Sequence, residues 1–87
     1  MHELAIALSL VETASDEAAR LGARHVATLF VRIGNLSGVV DDALRFSFDV
    51  AAEGTIVQGA RLELEPVDGR DLQLRAMEVL DDDAPDC

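Results

Sequence analysis

A chain of 87 residues has room for one domain, and a domain this small buries only roughly 60–65% of the surface its unfolded form exposes, so the core is thin. A formal charge of −10, with seven arginines and no lysine, repels nucleic-acid phosphates and anionic membrane surfaces. Although 49% of the residues are apolar, charges interrupt every stretch before it reaches the roughly 18 apolar residues of a membrane span, and the single cysteine excludes an internal disulfide.

From Leu4 to Leu21 the apolar residues Leu4, Ala7, Leu8, Val11, Ala14, Ala18 and Leu21 recur three or four apart. This spacing predicts an amphipathic helix with Glu12, Asp16, Glu17 and Arg20 in water, closed at Gly22, where a left-handed residue costs least. Glu3 and Glu12 break the first apolar segment and no basic start precedes it, so a secretory signal is not expected and the cytoplasm is the expected location.

His25 to Ile33 changes to a period of two, a strand with Leu29, Val31 and Ile33 on one face and Thr28, Phe30 and Arg32 on the other. Phe30 on the polar face is covered by the chain's own tail, covered by another molecule, or an ordinary surface aromatic. Gly34, Asn35, Ser37 and Gly38 supply a turn, and Asp41 to Glu53 predicts a second helix stopped by Gly54. Asp41 and Asp42 suit the positive end of its dipole, and Leu44, Phe48 and Ala51 form its inner stripe. Asn35-Leu36-Ser37 matches a glycosylation acceptor, discounted without an export signal.

Two strands follow, Ala60 to Glu65 and Leu72 to Leu80, the second with a phase slip that predicts a bulge near Arg75-Ala76. Asp68-Gly69 between them suits a tight turn, which predicts an antiparallel hairpin, with Pro66 at the strand end where its missing N–H matters least. The expected fold class is therefore α/β of the α+β type: two helices on one face of a small mixed three-stranded sheet, the last two strands forming a hairpin. A single domain is expected over 1–80 and a disordered acidic tail over 81–87, where Asp81, Asp82, Asp83 and Asp86 crowd together. Three strands leave two sheet edges, so a homodimer through an edge is a further possibility, with Arg61, Glu63, Arg75 and Glu78 giving some protection.

Catalytic equipment is scarce: two histidines, one cysteine, no tyrosine and no glycine-rich phosphate loop, so no enzymatic activity is expected. Chemistry concentrates in Met1, His2 and Glu3. A free α-amine, the His2 amide nitrogen and the His2 imidazole are close enough along the chain to close two small chelate rings around one ion. Such planar nitrogen donors suit Ni(II) or Cu(II), and the fourth position is left for Glu3 or an exchangeable ligand. His25 at the start of a strand reads as a structural or surface histidine rather than a second donor, and Cys87 as an inert thiol rather than a soft-metal ligand.

Met1-His2-Glu3-Leu4-Ala5-Ile6-Ala7, Arg32-Ile33-Gly34-Asn35-Leu36-Ser37-Gly38-Val39-Val40 and Ala43-Leu44-Arg45-Phe46-Ser47-Phe48 together resemble the HypA/HybF hydrogenase and urease nickel chaperones. Glu53-Gly54-Thr55, Gly59-Ala60-Arg61-Leu62-Glu63-Leu64-Glu65 and Leu74-Arg75-Ala76-Met77-Glu78-Val79 continue the resemblance to about residue 80. It implies a nickel-binding domain with Met1, His2 and Glu3 as the metal-binding end, carrying Ni(II) as transient cargo. A maturation GTPase and a hydrogenase large subunit are the implied partners. One departure is large: the family carries a zinc domain with two Cys-x-x-Cys pairs between the last two strands, and this chain has only Pro66-Val67-Asp68-Gly69-Arg70 there. Structural zinc is therefore not expected. The rival expectation is an adaptor domain that keeps the fold and a partner surface without delivering metal.

Overall fold

The computed structural model describes residues 3–80. Its elements follow the expected order: α1 (Glu3–Arg20), β1 (His25–Gly34), α2 (Asp41–Ala52), β2 (Arg61–Val67) and β3 (Leu72–Leu80). The two helices pack on each other, and the sheet has the order β2-β1-β3, with β1 parallel to β2 and antiparallel to β3.

Helix α1 buries Ala7, Leu10, Val11, Ala14 and Ala18, while Leu4, Leu8 and Leu21 are at least half exposed. The expected stripe is thus turned toward Leu10. Small alanines at 7, 14 and 18 leave space for close approach to the sheet and α2, and the apolar arc of α1 is wider than the strip that packing can cover. Gly22, with φ of 74°, ends the helix as anticipated: Ala23 N–H donates to the Ala18 carbonyl at 3.0 Å and Gly22 N–H to that of Ala19 at 3.1 Å.

On β1, Leu29, Val31 and Ile33 face the core and lie across from Leu62 and Met77, Leu64 and Leu74, and Pro66 and Leu72. The opposite face carries Thr28, whose hydroxyl donates to Glu78 Oε1 at 2.8 Å, and Phe30, whose ring lies 5.6 Å from the Arg75 guanidinium carbon. Phe30 is therefore covered by a side chain of its own sheet, a cation over an aromatic face. Arg75 is the extra residue of a bulge between Leu74 and Ala76, where the phase slip placed one, and Ala27 makes a second on β1.

Strands β2 and β3 run in opposite directions and are joined across residues 68–71, which keeps the short hairpin connection, but they do not pair with each other. Strand β1 lies between them and bonds to both. The alternation of Leu62 and Leu64 and of Leu74 and Met77 suits a strand beside β1 as well as one beside its sequence neighbour, so no local pattern distinguishes the two pairings. The connection instead crosses the end of β1 at Gly34, where an added Cβ would sit 2.6 Å from the Gly69 carbonyl carbon and 2.8 Å from Arg70 N.

Helix α2 buries Leu44, Phe48 and Ala52, with Ala51 half-buried, and Val57 in the following turns completes the core. The outer edge of β2 is blunted at two points: the Arg45 guanidinium donates to the Leu62 carbonyl, and Pro66, two alternations along the same edge, has no N–H to offer. Among the described residues no helix is long and apolar enough to cross a membrane.

Candidate metal-binding end

Glu3 is the first residue of α1, and its Oε2 accepts a hydrogen bond from Val40 N–H at 3.3 Å. Val40 is the N-cap of α2 and, being valine, supplies no capping oxygen itself. The carboxylate from another element thus meets a helix N-terminus that its own sequence leaves uncapped. This bond brings the starts of both helices together, and with them Asp41 and Asp42 in the first turn of α2. Two positive dipole ends converge here, so the three acids offset a local field that would otherwise disfavour a cation.

The β1–α2 loop makes this meeting possible. Ser37 N–H donates to the Gly34 carbonyl at 3.0 Å and Val39 N–H to Ser37 Oγ at 3.3 Å, which folds the loop back so that Val40 faces the start of α1. Leu44 N–H then donates to the Val40 carbonyl at 2.9 Å and begins the helix. Of the three residues expected to hold metal, Met1 and His2 lie outside the described residues. Among the described residues no group of three or more His, Cys, Asp or Glu side chains is arranged to hold a metal ion. His25 starts β1, nine residues and about 30 Å of extended strand from Gly34 and the loop that meets Glu3. Cys87 also lies outside the described residues. The contact of Val40 with Glu3 was not anticipated; the signal for it was a helix predicted to open at Asp41 with Val40, and no Ser, Thr, Asp or Asn, at the cap position before it.

Of the expected donors, the described residues hold only the Glu3 carboxylate. A carboxylate has about four lone-pair directions, so holding Val40 is compatible with ligating a metal.

Residues 1–79 match the family model described as hydrogenase/urease nickel incorporation, metallochaperone, hypA. The chain belongs to this family. Among its relatives, the hydrogenase maturation factor HypA of Roseiflexus sp. strain RS-1 is 58% identical over 67 residues, covering 77% of this chain and 54% of the relative. That of Chloroflexus aurantiacus is 55% identical over 67 residues, 77% of this chain and 59% of the relative. The chain thus spans a little over half the length of these curated relatives. The solution structure of the Ni metallochaperone HypA from Helicobacter pylori matches with a TM-score of 0.82 at 16% identity, covering 94% of this chain and 100% of that one, and shows the same fold.

Proposed function

We propose that this HypA-family chain binds Ni(II) at Met1, His2 and Glu3 and passes it, together with a partner GTPase, to a hydrogenase large subunit or to urease. The observation that carries this reading is the match of the nickel-incorporation family model from residue 1, which includes the three donor-bearing residues. The α-amine, the His2 amide and the imidazole supply three nitrogens in one plane, and Glu3, held at the start of α2, lies beside them in sequence. A site at a chain end, open on one side, exchanges ligands readily, which suits delivery. Residues 1–80 act as the nickel-binding domain and 81–87 as an acidic tail outside it. Zinc has no structural part, because the two Cys-x-x-Cys pairs have no counterpart in the sequence.

Calorimetric titration of Ni(II) into untagged protein with an intact Met1 tests the proposal. One-to-one binding in the micromolar range or tighter is expected; heats no larger than those of an unrelated peptide would reject delivery and leave an adaptor role.

A further inference from the structure

The β1–α2 loop is tied at both ends. At its start the β2–β3 connection lies across it: Gly34 N–H donates to the Asp71 carbonyl, Asn35 N–H to that of Val67 and Leu36 N–H to that of Gly69, each at 2.8 Å. The Asn35 side chain returns the contact, its Oδ1 accepting from Gly69 N–H at 3.3 Å. At the other end Val40 N–H is held by Glu3. Only residues 37–39 separate the two attachments; Ser37 N–H ties them back to Gly34, and Val39 N–H donates to Ser37 Oγ. Three residues leave little slack between the attachment at Asn35 and Leu36 and the one at Val40.

We propose that Asn35 is a positioning residue for the metal-binding end: by accepting Gly69 N–H it adds a side-chain tie to the three backbone bonds that hold the loop to the β2–β3 connection, and so helps to set where Val40 holds the Glu3 carboxylate. The inference rests on the assignment of nickel to Met1, His2 and Glu3. It gives the 68–71 connection a route to nickel affinity without supplying a ligand. Asn35 contributes one side-chain bond at the surface, so its removal leaves the core packing untouched.

The test is a double-mutant cycle on the full chain, read by nickel titration. Asn35→Ala is expected to weaken Ni(II) binding several-fold, short of the roughly tenfold that loss of a ligand's own hydrogen-bond partner costs, because Asn35 acts through the loop and three backbone bonds remain. Asn35→Asp, which keeps an acceptor oxygen, is expected to retain most of the affinity. In a Glu3→Gln background the further effect of Asn35→Ala should fall below about twofold, because both changes act through one group. Unchanged affinity in Asn35→Ala, or the same loss in both backgrounds, would overturn the proposal. A metal-free arm separates it from the nickel assignment itself: the Val40 amide resonance should move in Asn35→Ala as it does in Glu3→Gln, and a Val40 resonance left in place by Asn35→Ala would also overturn it. Failure of the native chain to bind nickel would instead sink the assignment of the site.

Discussion

His2 contributes both a backbone and a ring nitrogen to the proposed chelate, and the α-amine of Met1 completes it. His2→Ala, or one residue added before Met1, is therefore expected to abolish specific nickel binding in calorimetry, with the thermal transition of the metal-free protein nearly unchanged. Equal affinity in all three forms would refute the terminal site. The ligand nitrogens must be unprotonated, and their reference pKa values are about 7.7–8.0 for the amine and about 6.5 for the imidazole. Affinity should thus fall as the pH drops below 8 and fall more steeply below about 6.5, with protons released on binding; a flat profile from pH 8 to 5.5 would exclude these donors. Two phenylalanines two positions apart separate core from surface: Phe48 is 1% exposed and Phe46 71%. Phe48→Ala should cost about 3–5 kcal/mol in denaturant unfolding and Phe46→Ala within about 0.5 kcal/mol. Comparable costs would mean that Phe46 is covered in solution.

At the level of elements, the sequence was legible where a period runs unbroken over many residues. Both helices begin and end close to where apolar spacing, two glycines and the acidic first turn of α2 placed them, and the alternation of Leu29, Val31 and Ile33 gave the buried face of β1. Val57 was missed because turns carry no period, yet it is fully buried. Strand pairing was legible only in part. Asp68-Gly69 does join antiparallel strands, but whether a third strand lies between them depends on contacts distant in sequence. The proposed metal-binding end rests on the chemistry of three consecutive residues, whereas the grip of Val40 on Glu3 links positions 37 residues apart and has no local pattern. Arg45 gives an element-level test. Arg45→Ala removes the cap on the β2 edge and should lower stability by about 1 kcal/mol, the usual scale for one lost hydrogen bond, as measured by the urea midpoint. An unchanged midpoint would show that water replaces the guanidinium at no cost. Removing residues 81–87, four acids and a proline among them, should change the same midpoint by less than about 1 kcal/mol. A larger loss would place those residues in the packed domain.

For the molecule as a whole, stability must come from the apolar layer between helices and sheet. Zinc-dependent folding needs a cluster of thiolate or imidazole ligands, and the chain has one cysteine and two histidines. EDTA is therefore expected to leave the circular-dichroism spectrum and its thermal transition unchanged. A cooperative loss of signal, restored by zinc, would contradict this.

The place of β1 between two strands that are neighbours in sequence also orders events in time. A hairpin can zip from its turn within about 1–10 μs, but here β2 and β3 have no ladder to form with each other. Neither outer strand gains a partner until β1 has arrived, and the pairing of Thr28 with Arg61 must first close a long loop that contains all of α2. Such distant closure slows folding relative to a helical bundle of the same size. The rate at which this chain becomes native is then set by the capture of one central strand, with the 68–71 crossing able to settle over Gly34 only after that capture.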